Sequence, residues 1–116
     1  MCSSDLAEIY DRFALDHTAT PGQMYDARTA NDTRGFPADP IYWESVVVSC
    51  EYASGGLRSL RLHPIDLGWK QPRARRGRPV LAGPEVGRQV LERMQRLSKP
   101  FGTVITIEDG VGVVHL

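Results

Sequence analysis

The chain has 116 residues, 41% of them hydrophobic and 24% charged, and its 14 Lys and Arg balance its 14 Asp and Glu. That length suits one domain, or part of one, with a modest core. No apolar run nears the roughly 18 residues of a membrane span, no signal-peptide pattern is present, and Cys2 and Cys50 make neither a disulfide framework nor a metal motif. Transmembrane, disulfide-scaffold and zinc-finger classes are thereby excluded. Dedicated nucleic-acid binders are normally basic overall, and this chain is neutral. Leu6, Ile9, Tyr10 and Phe13 recur at three- and four-residue spacing and predict a short amphipathic helix, with Asp5 at the N-cap and Glu8 three residues on. From His17 to Pro40 the periodicity vanishes, and Thr, Gly, Asn and Pro punctuate an expected loop of more than 20 residues. Loops that long usually belong to a site or lie over a partner.

Tyr42 to Tyr52 is β-branched and aromatic with polar residues interleaved, the strongest strand signal in the chain. Ser54-Gly55-Gly56 supplies turn residues, and Leu57 to Leu67 alternates partly, so the pair reads as an antiparallel hairpin. Pro64 has no N–H for a sheet ladder, which predicts an edge or a kink at that point. Gly68 to Gly83 is a loop rich in Arg, Pro and Gly, and Gly83-Pro84-Glu85 opens a helix. Val86, Val90, Leu91, Met94 and Leu97 form its apolar stripe, and Pro100 ends it. Thr103–Ile107, the turn Glu108-Asp109-Gly110 and Val111–Leu116 predict a second hairpin. The expected class is α+β, two antiparallel hairpins with a packing helix, because no parallel crossover is signalled.

The neutral total conceals a polarised layout. Residues 1–54 carry nine acids against Arg12, Arg28 and Arg34, whereas residues 68–99 carry nine bases against Glu85 and Glu92. Such runs are most often solvated surface.

Chemistry-bearing motifs are sparse. His17, His63 and His115 have no metal-ligand spacing, and there is no nucleophile elbow or phosphate loop. Ser45, Ser49 and Cys50 fall inside the first strand, with Cys50 expected on its apolar face. Glu44 and Asp66 are carboxylates that no sequence signal brings together. The positive signal is Arg73-Ala74-Arg75-Arg76-Gly77-Arg78, flanked by Pro72 and Pro79. Its guanidinium forks suit carboxylates or phosphates. His63, just before this loop, is the accompanying contact candidate.

Met1-Cys2-Ser3-Ser4-Asp5-Leu6 coincides with one reading frame of a common sequencing-library adapter, so residues 1–6 are expected to be a non-native leader. On that reading the capping position of Asp5 is coincidence.

Tyr42-Trp43-Glu44-Ser45-Val46-Val47, Leu62-His63-Pro64-Ile65-Asp66-Leu67-Gly68, Arg76-Gly77-Arg78-Pro79 and Leu97-Ser98-Lys99-Pro100-Phe101-Gly102-Thr103 stand in that order along the chain. As an ordered set they resemble the C-terminal part of the bacterial capsule-synthesis (CapA-type) family, also called poly-gamma-glutamate synthesis proteins. The resemblance spans residues 7–116. It implies the last portion of a larger metallophosphatase-like α/β sandwich, with divalent metal ions held by loops upstream and a place in the bacterial cell envelope. None of that family's ligand-bearing motifs matches here, so no catalytic or metal residue is assigned and the segment alone is expected to be inactive. The implied partners are the upstream half of its own domain and an anionic polymer or phosphate-containing substrate. The alternative is a stand-alone α+β module binding an anionic partner through Arg73–Arg78. Nucleic acid is not expected, since no aromatic residues interleave with those arginines for base stacking.

Overall fold

The computed structural model describes the backbone from Ser3 to Leu116 and side chains from Glu8 onward. Cys2 and the side chains of Asp5 and Leu6, which figure in the sequence reading, lie outside the described residues. The chain divides into two compact units, Met1–Pro40 and Ile41–Leu116.

In the first unit, α1 spans Ser3–Arg12. It begins before Asp5, which therefore lies within the helix and not at its cap. The loop expected from His17 to Pro40 is a folded segment instead. A second helix, α2, occupies Pro21–Thr29, and a 3-10 turn follows at Phe36–Ala38. The amino end of α2 is held by a reciprocal capping box. Gln23 N–H donates to Thr20 Oγ1 at 3.3 Å, and Thr20 N–H donates to Gln23 Oε1 at 2.8 Å. Pro21 takes the first helical position, where its missing N–H costs nothing. Apolar periodicity could not reveal this helix, because capping rather than an apolar face defines it. Past its end, Ala30, Asn31 and Asp32 all take positive φ (47°, 56° and 66°). Thr29, only 3% exposed, fastens the reversal. Its hydroxyl donates to Tyr25 O at 2.8 Å and accepts from Asp32 N–H at 3.2 Å. Tyr25 and Phe36 meet edge to face at 5.9 Å, beside the buried Pro37.

The second unit is an antiparallel sheet covered on one face by a helix, in agreement with the α+β expectation. Its strands are β1 (Glu44–Ala53), β2 (Gly56–Asp66), β3 (Val80–Leu81), β4 (Val104–Glu108) and β5 (Val111–His115), and α3 spans Pro84–Ser98. The strand order is β1-β2-β5-β4, with β3 also against β2. Both hairpins turn on two residues with positive φ, Ser54-Gly55 (51°, 77°) and Asp109-Gly110 (49°, 79°). That signature suits the twist of the flanking strands.

Pro64 is a local edge without being a break: β2 pairs with β1 straight through it, while on the other side neither the β5 nor the β3 register includes it. Toward its start β2 pairs with β5 (Leu60↔Val114, Leu62↔Gly112), and toward its end with β3 (Ile65↔Leu81, Asp66↔Val80). The Trp43 carbonyl accepts from Leu67 N–H at 2.8 Å. The alternation of an antiparallel ladder then turns the Pro64 nitrogen away from β1, toward the gap between β5 and β3. The Pro64 carbonyl is still used, accepting from Ala82 N–H at 2.9 Å.

Leu62, Leu91 and Ile105 form the core, with Val46, Leu60, Met94 and Val114 packed against it. Two glycines decide how closely α3 settles. A Cβ on Gly112 would come within 2.9 Å of Leu91 Cδ2, and one on Gly87 within 3.3 Å of Pro64 Cγ. Of the predicted apolar stripe, Val90 and Leu91 are buried, whereas Leu97 is 58% exposed. Cys50 does share the helix-side apolar face with Val46, but it is exposed, since α3 packs over the other end of β1.

Candidate functional site

The basic loop leaves β2 through an Asx-type turn, in which Gly68 N–H donates to Asp66 Oδ1 at 2.7 Å. Gly68 takes a φ of 78°, and a short 3-10 turn forms at Arg73–Arg75. Gly77 N–H donates to the Leu67 carbonyl at 2.8 Å, which closes the loop on itself. This closure needs Gly77 at a φ of 76°, a conformation that costs glycine little. Leu67–Gly77 is thus a tied loop.

Closure sorts the four arginines. The Arg76 guanidinium lies over the Trp43 ring, 5.6 Å from its centroid, and the residue is half-buried. Lys70 makes the same kind of contact with Trp69, also at 5.6 Å. Arg73 is engaged within the structure. Arg75 and Arg78 are exposed and make no ion pair among the described residues. Both tryptophans of the chain thus sit beside cationic residues of this loop.

His63 stands apart from the arginines. It is half-buried on the sheet face opposite α3, its Nε2 2.9 Å from Ser49 Oγ. It also lines a cavity of about 420 Å³ with Leu81, Pro84, Asp109 and Val111, whose wall includes none of the loop arginines. His115 makes a similar contact on the same face, 3.1 Å from Thr106 Oγ1. Each histidine thus sits in a diagonal cross-strand pair with a hydroxyl.

The register does bring Glu44 directly opposite Asp66, although no sequence signal joined them. Each carboxylate has its own partner: Arg93 Nη1 donates to Glu44 Oε2 at 2.8 Å, and Asp66 accepts from Gly68. The Glu44–Arg93 pair, with side chains 10% and 26% exposed, ties α3 to β1. Arg93 therefore leaves the pool of cations available to a ligand. No group of three or more His, Cys, Asp or Glu that could hold a metal ion occurs among the described residues. No described helix is long and apolar enough to cross a membrane.

No family model matches the chain. Two uncharacterized proteins of Sinorhizobium fredii (strain NBRC 101917 / NGR234), y4sH and y4uA, are each 39% identical to it over 122 residues. Those alignments cover 97% of this chain and 25% of each relative. The chain spans about a quarter of the length of the curated relatives it matches.

Proposed function

We propose that this chain is a module of a longer protein that contacts an anionic partner through its basic loop. The observation carrying this reading is the closure of Leu67–Gly77, with Arg76 drawn onto Trp43 and Arg75 and Arg78 left outward without ion-pair partners. A tied loop loses less conformational entropy on binding than a mobile one, so its exposed forks are better prepared for an oxyanion. The length of the relatives supports the place in a larger protein. So does the sheet face opposite α3, where Val47 and Val104 are 52% and 57% exposed.

The two tryptophans provide the test. Poly-glutamate or a phosphate polymer titrated into the chain should change Trp fluorescence, with affinity falling as salt rises. Replacing Arg75 and Arg78 together by Ala should weaken binding by about tenfold or more, since each charged hydrogen bond contributes roughly 1.5–3 kcal/mol. Unchanged affinity in that variant overturns the proposal.

For the whole protein we propose the metal-dependent phosphoesterase of capsule or poly-gamma-glutamate synthesis that the resemblance implies. Its support is the ordered set of four segments, together with relatives long enough to carry metal-binding loops elsewhere. The decisive assay uses the full-length gene product with Mn²⁺ and bis-p-nitrophenyl phosphate. Hydrolysis abolished by a chelator is expected, and no metal-dependent hydrolysis removes this reading.

A further inference from the structure

A separate feature lies within the first unit. Residues 1–54 contain three arginines, Arg12, Arg28 and Arg34, and no lysine. All three line one cavity of about 880 Å³, together with Glu8, Ile9, Phe13 and Gly35. Arg12 closes α1, Arg28 lies in the last turn of α2, and Arg34 follows the reversal at Ala30–Asp32. Three elements thus turn their cations toward a common space, in a segment otherwise rich in acids.

None of the three arginines forms an ion pair among the described residues. Two are positioned without losing their outer N–H groups. The Arg12 guanidinium lies 5.8 Å from the centroid of the Phe13 ring. Arg34 donates through Nε to the Arg28 carbonyl at 3.3 Å, which leaves its two terminal nitrogens for a ligand. Glu8 is the carboxylate on the wall, so the lining carries a net charge of about +2. Ile9 and Phe13, both half-buried, supply an apolar side. The volume falls within the roughly 300–1,000 Å³ of small-molecule sites.

We infer that this cavity binds a small molecule bearing two or more oxyanion groups, phosphate or carboxylate, with an apolar body against Ile9 and Phe13. Converging like charges are unfavourable until an anion neutralises them. Planar guanidinium forks match the paired oxygens of both anion types. This site is independent of the basic loop and stands or falls separately from it.

The test uses the full chain carrying Arg75→Ala and Arg78→Ala, so that the two outward arginines of the loop are removed. Calorimetric titration at low salt with inorganic pyrophosphate and with citrate should detect binding of at least one. Tighter pyrophosphate assigns the site to phosphates, and tighter citrate assigns it to carboxylates. Arg28→Lys and Arg34→Lys keep the charge but remove the fork, and each should weaken binding by about tenfold. A readout that needs no cavity variant is phenylglyoxal modification with peptide mapping. The bound probe should protect Arg12, Arg28 and Arg34 while other exposed arginines still react. No heat with either probe up to about 10 mM, or no protection of these three arginines, overturns the inference.

Discussion

Gly112 illustrates how much rests on a single absent side chain. Leu91, the fully buried residue of α3, lies over it, and Leu62 Cβ and Ile105 Cγ2 would be 3.2 and 3.4 Å from an added Cβ. Gly112→Ala should therefore cost about 1–3 kcal/mol by overpacking, and Leu91→Ala about 2–5 kcal/mol by leaving a cavity. Thermal or denaturant unfolding monitored by circular dichroism checks both. An unaltered melt for Gly112→Ala would mean that α3 shifts freely on the sheet. The Glu44–Arg93 pair is largely shielded from solvent. A double-mutant cycle with Glu44→Gln and Arg93→Met should give a coupling above the roughly 0.2–1 kcal/mol of exposed pairs. The chain shows Arg93 as one more base on a polar helix face; only the fold gives it Glu44 as a partner.

Among the elements, α2 and the basic loop depend on local chemistry of different kinds. Thr20→Ala removes the hydroxyl of the capping box and should cost about 0.5–2 kcal/mol in that helix. Faster amide hydrogen exchange in Gln23 and Met24, with α3 unaffected, is the expected readout. Thr20-x-x-Gln23 after a proline-compatible cap is readable in the sequence, but an apolar-period search passes over it. The short β3 is equally hidden, since Val80-Leu81 becomes a strand only because β2 offers it an edge beyond Pro64. In the basic loop, Arg76→Ala removes the cation over Trp43 and should loosen Leu67–Gly77. The matching observation is a red shift and greater quenching of Trp fluorescence without loss of the sheet signal. An unchanged spectrum would mean that the backbone bond from Gly77 to Leu67 alone holds the loop.

At the scale of the whole molecule, the sheet ends on one side in β1, a ten-residue edge strand in which Val47, Val48 and Tyr52 are 52%, 47% and 73% exposed. A long exposed edge of this kind pairs readily with other chains. Residues 41–116 contain the whole sheet, α3 and the core cluster, and are expected to melt cooperatively when produced alone. Concentration-dependent association is expected to accompany that melt, and Val47→Lys on the edge should reduce it. Size-exclusion chromatography over a range of concentrations checks this. A monomer at all concentrations would mean that the twist and end charges of β1 already protect it.

Both hairpins and α3 were legible along the chain because each rests on neighbours in sequence: two-residue turns able to take positive φ, alternating strand residues, and a stripe ended by Pro100. The α+β class followed from the same signals. The sequence by itself also located the basic loop and every arginine in it. What only the tertiary structure decided is which residues meet. Strand order, the change of β2 partner at Pro64 and the seating of α3 on Gly87 and Gly112 depend on pairings distant in sequence, and no local propensity encodes them. The same holds for function. Closure of the loop turned Arg76 inward and left Arg75 and Arg78 outward, and the reversal after α2 gathered Arg12, Arg28 and Arg34 around one cavity.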